Sequence, residues 1–68
     1  MRTVEIKFGE MWVEVAFGSL KKGDLFRMYE SDGTPVRDRG TDQFIATSDA
    51  YYETNIDGHA VKYEPFYG

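Results

Sequence analysis

Cysteine is missing from this 68-residue chain, and histidine and tryptophan each occur once. The first absence excludes disulfides and thiolate-bound metals. A single histidine excludes a histidine-rich metal site. A cysteine-free chain fits a reducing compartment, so a cytoplasmic protein is the expectation. Long apolar runs are also missing, so no transmembrane helix and no membrane partner are expected. The opening residues Met1-Arg2-Thr3-Val4-Glu5 lack the apolar stretch of a secretion signal. No segment keeps a helical period over successive turns, and there is no internal repeat.

Positive charge is scarce too. Eight Lys and Arg stand against twelve Asp and Glu, a formal net charge of −4. Nucleic-acid binders carry a basic face, and scattered cations on an acidic chain argue against one. The acidity is also too weak for a DNA mimic.

What the chain has in excess is aromatic rings. Five Phe, five Tyr and one Trp make up 16% of the residues, which excludes a disordered chain. The length fits one small domain spanning residues 1–68. A domain of this size buries only about 60% of its unfolded surface. Without disulfides or metal, aromatic burial and oligomerisation remain as supports.

Period-two alternation dominates. Val4, Ile6 and Phe8 share one face of a strand, and Met11, Val13, Val15 and Phe17 share one face of the next. A Gly9-Glu10 turn between them completes a hairpin. Residues 19–24 read as a short connection with room for one helical turn, Ser19 capping it and Gly23 stopping it. Residues 25–30 form a third strand, followed by the turn Ser31-Asp32-Gly33-Thr34. Residues 36–42 read as a loop, and residues 43–47 as a fourth strand. Residues 48–53 fit either a helix capped by Ser48 or a strand favoured by Tyr51 and Tyr52. Asn55-Ile56-Asp57-Gly58 reads as a turn, and residues 59–63 as the last strand, with Pro65 ending it or marking an edge. The fold class is therefore all-β, with room for one short helix. It is expected to be a single SH3-like small barrel or a strongly bent antiparallel sheet of five to six strands.

Catalytic and metal motifs are weak. Glu53, Asn55, Asp57, Gly58 and Glu64 fall on the calcium-loop spacing of an EF-hand. The first position is Glu rather than Asp, and Tyr51, Tyr52 and Pro65 argue against flanking helices. His59 with Ser19, Ser31 or Ser48 and a loop Asp does not select a triad. The chain is expected to be non-enzymatic, with no cofactor and no metal.

The rings are the better lead. Phe8, Phe17, Phe26 and Phe44 with Val4, Ile6, Val13, Val15, Met28 and Ile45 are enough to fill a core. That leaves Trp12, Tyr29, Tyr51, Tyr52, Tyr63, Phe66 and Tyr67 as candidate partner-binding residues, since interfaces enrich Trp, Tyr and Phe. The partner would be another protein or a second copy of the chain. In an oligomeric small-ligand reading, Arg27, Arg37 and Arg39 would meet the phosphates of a nucleotide. Single-stranded nucleic-acid binding on a small barrel is a further alternative.

The segment Leu20-Lys21-Lys22-Gly23-Asp24-Leu25-Phe26-Arg27-Met28-Tyr29-Glu30-Ser31-Asp32-Gly33-Thr34-Pro35-Val36 resembles small accessory proteins encoded by tailed bacteriophages. It also looks like the opening of an SH3-like small barrel, where a Lys-Gly-Asp turn feeds a strand. The resemblance covers about a quarter of the chain and brings no functional residues with it. It implies a protein acting early in infection in the host cytoplasm, where it inhibits or redirects a host factor or sequesters a defence signal.

Overall fold

The computed structural model describes residues 2–67. The first two strands, β1 (Thr3–Phe8) and β2 (Met11–Val15), form the expected hairpin, with Val4 opposite Val15 and Phe8 opposite Met11. Gly9 turns it at φ 62, and Glu10 keeps a negative φ. That is the pattern of a II′ turn, whose twist suits a two-residue hairpin and whose first central position favours Gly.

A single 3₁₀ turn follows at Phe17–Ser19. The expected helical turn thus lies earlier in the chain, and Ser19 closes it rather than opening it. The Ser19 hydroxyl donates back to the Ala16 carbonyl at 2.7 Å. Then come β3 (Leu25–Tyr29), β4 (Phe44–Ala46), β5 (Tyr51–Glu53), β6 (Gly58–Ala60) and β7 (Tyr63–Pro65). The ambiguous segment after Ser48 is strand.

The fold is all-β, with seven strands among the described residues rather than five or six. Five form one antiparallel sheet in the order β2-β1-β3-β4-β7, and β5-β6 form a separate hairpin. The extra strand arises because the segment read as one strand over residues 59–63 changes sheets at Val61-Lys62. There the Lys62 N–H goes to the Ser48 hydroxyl and the Lys62 carbonyl accepts from Thr47.

The larger sheet is not closed into a barrel. Its free edges are β2 and β7, and β4 and β7 have only three residues each. Such short strands do not wrap round to meet β2. The sheet instead buries one face under a second layer. That layer holds the 3₁₀ turn, the β5-β6 hairpin and the Val36 segment, packed through Phe17, Ala50, Val61 and Val36. The Ala50 N–H to the Leu20 carbonyl, 2.8 Å, ties the layers together.

The core is Val4, Leu20, Phe26, Met28, Phe44 and Ala46. Phe26 lies opposite Phe44 across β3-β4, with ring centroids 5.7 Å apart. Tyr63 meets Phe44 edge-on at 5.2 Å. Three expected core residues are not there. Phe8 is 73% exposed and Val13 39%, because the tip of the β1-β2 hairpin runs past the second layer. Ile45 sits half-buried on the opposite face. Leu20 and Ala46, which the expected core leaves out, are buried in it. Among the described residues, no helix is long and apolar enough to cross a membrane.

Truncating Phe26, which is fully buried, removes the centre of this core. Phe26→Ala is expected to cost about 3–5 kcal/mol, close to the whole stability of so small a domain. Urea denaturation followed by circular dichroism should show no cooperative transition. Ile56→Ala, at an exposed turn, should stay within about 0.5 kcal/mol of wild type.

Candidate functional site

Alternation along β1, β2 and β3 sends every second side chain to the face opposite the core. On that outer face the pairing places Lys7 opposite Trp12, Glu5 opposite both Glu14 and Arg27, and Thr3 opposite Tyr29. These registers assemble a cluster. The Arg27 guanidinium carbon lies 4.2 Å from the centroid of the Trp12 ring and 5.4 Å from that of Tyr29. Its Nε donates to Glu5 at 2.8 Å. The Lys7 ammonium also lies over the Trp12 ring, 5.4 Å from its centroid. Trp12, Arg27 and Tyr29 are half-buried by one another. Arg is held both by ring faces and by a carboxylate, so its planar fork is positioned before any partner arrives.

The other predicted aromatic residues do not join this cluster. Tyr51 and Tyr52 are exposed on β5 of the smaller hairpin. The Tyr52 hydroxyl donates to Asp57, and its ring meets His59 edge-on at 5.9 Å. His59 in turn packs against Gly18, where an added Cβ would come within 3.0 Å of the imidazole. Tyr63 stands at the core edge, and its hydroxyl donates to Asp38 at 3.3 Å. Phe66 and Tyr67 dock the C-terminal tail. The Phe66 N–H donates to the Gln43 carbonyl, the buried Thr41 hydroxyl donates to the Phe66 carbonyl at 2.8 Å, and the Tyr67 hydroxyl donates to the Arg39 carbonyl at 2.6 Å. The single aromatic patch read from sequence is therefore divided among four places.

The three arginines proposed for phosphate also separate. Arg27 is on the outer sheet face. Arg37 and Arg39 belong to the loop between β3 and β4, where Arg39 (φ 54) and Gly40 (φ 83) form a tight turn. Arg37 donates to the Gly40 carbonyl at 3.0 Å. It also lines a cleft of about 480 Å³ on the core side with Arg2, Phe17, Val36 and Tyr63. Arg2 was not singled out in the sequence. It pairs with Glu30 at 2.7 Å, a contact that joins residues far apart in the chain.

The calcium spacing comes apart in space. Glu53, Asn55 and Asp57 belong to the β5-β6 hairpin, and Glu64 to β7 of the other sheet. Among the described residues, no three His, Asp or Glu side chains are grouped to hold a metal.

No protein-family model, curated protein or solved structure matches this chain. The functional argument therefore rests on the geometry above.

Two measurements check that geometry. Trp12 is the sole tryptophan, so its fluorescence reports the stack directly. Arg27→Ala should shift its emission to the red and cost about 1–2 kcal/mol from the lost ring and ion contacts. At the smaller hairpin, the hydrogen bond to Asp57 holds the Tyr52 phenol above its ordinary pKa. That bond is present at neutral pH and is lost as pH rises through the raised value. A spectrophotometric titration should show one late phenol, which Tyr52→Phe removes.

Proposed function

We propose that the chain is a non-enzymatic binding protein that docks a protein partner through the outer face of its larger sheet. The observation that carries this reading is the Trp12-Arg27-Tyr29 stack. Trp, Arg and Tyr are the residue types that dominate interface energetics. A stack already ordered in the free protein loses little side-chain entropy on binding. Glu5 and Glu14 beside it favour a partner with complementary basic groups and orient its approach. The same carboxylates oppose a nucleic-acid backbone, which is why a protein partner is preferred over single-stranded nucleic acid. The resemblance to tailed-phage accessory proteins makes a bacterial host factor the partner to test first.

A second reading has one observation in its favour. The cleft on the core side joins Arg2, Arg37 and one carboxylate, Asp38, to apolar walls, and its two cations favour a small anionic ligand such as a nucleotide. Calorimetric titration with a nucleoside monophosphate gives heat if this reading holds and none if it fails.

The main reading is tested by affinity capture from bacterial lysate with quantitative mass spectrometry. Wild type should retain one stoichiometric protein. Trp12→Ala should weaken that complex by more than about 2 kcal/mol, roughly thirtyfold, with an unchanged circular dichroism spectrum. Tyr52→Ala, on the separate hairpin, should leave it intact. Equal retention by Trp12→Ala, or no retained protein, overturns the reading.

A further inference from the structure

We infer that β2 is a dimerisation strand. Two copies of this chain pair β2 against β2 in antiparallel fashion about a two-fold axis at Val13, and the sheet continues across the interface. The inference stands on the backbone of the sheet edge, and its interface shares Trp12 and Glu14 with the outer face.

The two free edges differ in how they are protected. Edge strand β7 has three residues and ends on Pro65, which has no N–H to offer. Edge strand β2 has five residues, Met11–Val15, with no Pro, Gly or Lys to discourage pairing. The hairpin decides which of its backbone groups are free. A two-residue loop is closed by a hydrogen-bonded pair, here Phe8 and Met11. Alternation then spends the backbone groups of Met11, Val13 and Val15 on β1. Those of Trp12 and Glu14 point to the open edge.

Charge selects the register. Pairing that keeps apolar residues on one face must move in steps of two residues. Centred on Trp12, it sets Glu10 against Glu14 of the second copy. Centred on Glu14, it sets that carboxylate against its own counterpart. Like charges directly opposite are destabilising. Centred on Val13, it sets Val13 against Val13, Met11 against Val15 and Trp12 against Glu14. The free backbone groups of Trp12 and Glu14 then satisfy one another. Within one chain Glu14 faces only another carboxylate, Glu5. In the pair it comes beside the Trp12 that carries the Lys7 ammonium.

The side chains agree with the backbone. Met11 is 66% exposed, and it shares with Val13 and the half-buried Val15 the core side of β2. Pairing joins the two apolar stripes edge to edge, each shielding the other. The contact is isologous, so it closes at two copies. Both outer edges of the resulting sheet are then β7 with its Pro65, which opposes further growth.

Sedimentation velocity across a micromolar dilution series tests this. Wild type should show a concentration-dependent monomer–dimer equilibrium. Val13→Lys sets two cations on the axis and should raise the dissociation constant at least about tenfold. Glu14→Lys should weaken the dimer, and adding Lys7→Glu should restore it. This second series decides the matter if Val13→Lys loses its circular dichroism spectrum. Tyr29→Ala should leave the dimer unchanged, which separates this interface from the docking face. A wild type that stays monomeric throughout, assembly beyond two copies, or a dimer insensitive to both series overturns the inference.

Discussion

The pairing of Phe26 with Phe44 across β3 and β4 is the contact on which this molecule depends. Both rings are almost fully buried, in a core of six buried hydrophobic residues among the described ones. A domain this small has no second core to fall back on. The pair also links the N-terminal hairpin, through β3, to the C-terminal half, through β4 and β7. Leu20 belongs to the same buried cluster, and the Tyr63 ring meets both Phe rings edge-on. Placing Phe26 and Met28 inward obliges Leu25, Arg27 and Tyr29 to face outward, because side chains alternate along a strand. The outer face is therefore a consequence of the core, built from the same five residues of β3.

That outer face joins two kinds of interaction that reinforce each other. The Arg27 guanidinium carbon lies over the Trp12 ring, 4.2 Å from its centroid, an arrangement that a planar guanidinium favours. Glu5 meets it on a neighbouring strand, so the cation is neutralised and oriented together. Both side chains are less than a third exposed, which screens their pairing less than at an open surface. The result is an ordered apolar and polar mosaic on a sheet face that the second layer leaves free. By contrast, the Arg2-Glu30 pair is open to water and contributes little beyond holding Arg2 against the end of β3.

Much of the fold was legible from local pattern. The β1-β2 hairpin, the Ser31–Thr34 turn and the inward set Val4, Phe26, Met28 and Phe44 follow from alternation and turn chemistry. The closed barrel did not follow. Closure depends on whether the last strands are long enough to reach the first, and that length is set by hydrogen bonds such as Lys62 to Ser48, between segments the sequence does not place side by side. Phe8 and Val13 have the pattern of core residues, yet alternation says only which face they share, not whether anything covers it. In the candidate site, the sequence points to Trp12 and Tyr29 as partner-binding residues and to Arg27 as a phosphate contact. Their convergence needs the pairing of β1 with both β2 and β3, which no spacing within one strand reveals.

The sequence by itself determined the all-β class, the succession of the first three strands along the chain and which residues alternate together, because these depend on local backbone preference and a period of two. The tertiary structure decided which face is covered, which edge is left open and which rings meet. Those outcomes depend on where distant strands stop and pair, and one three-residue strand more or less changes what lies over every side chain.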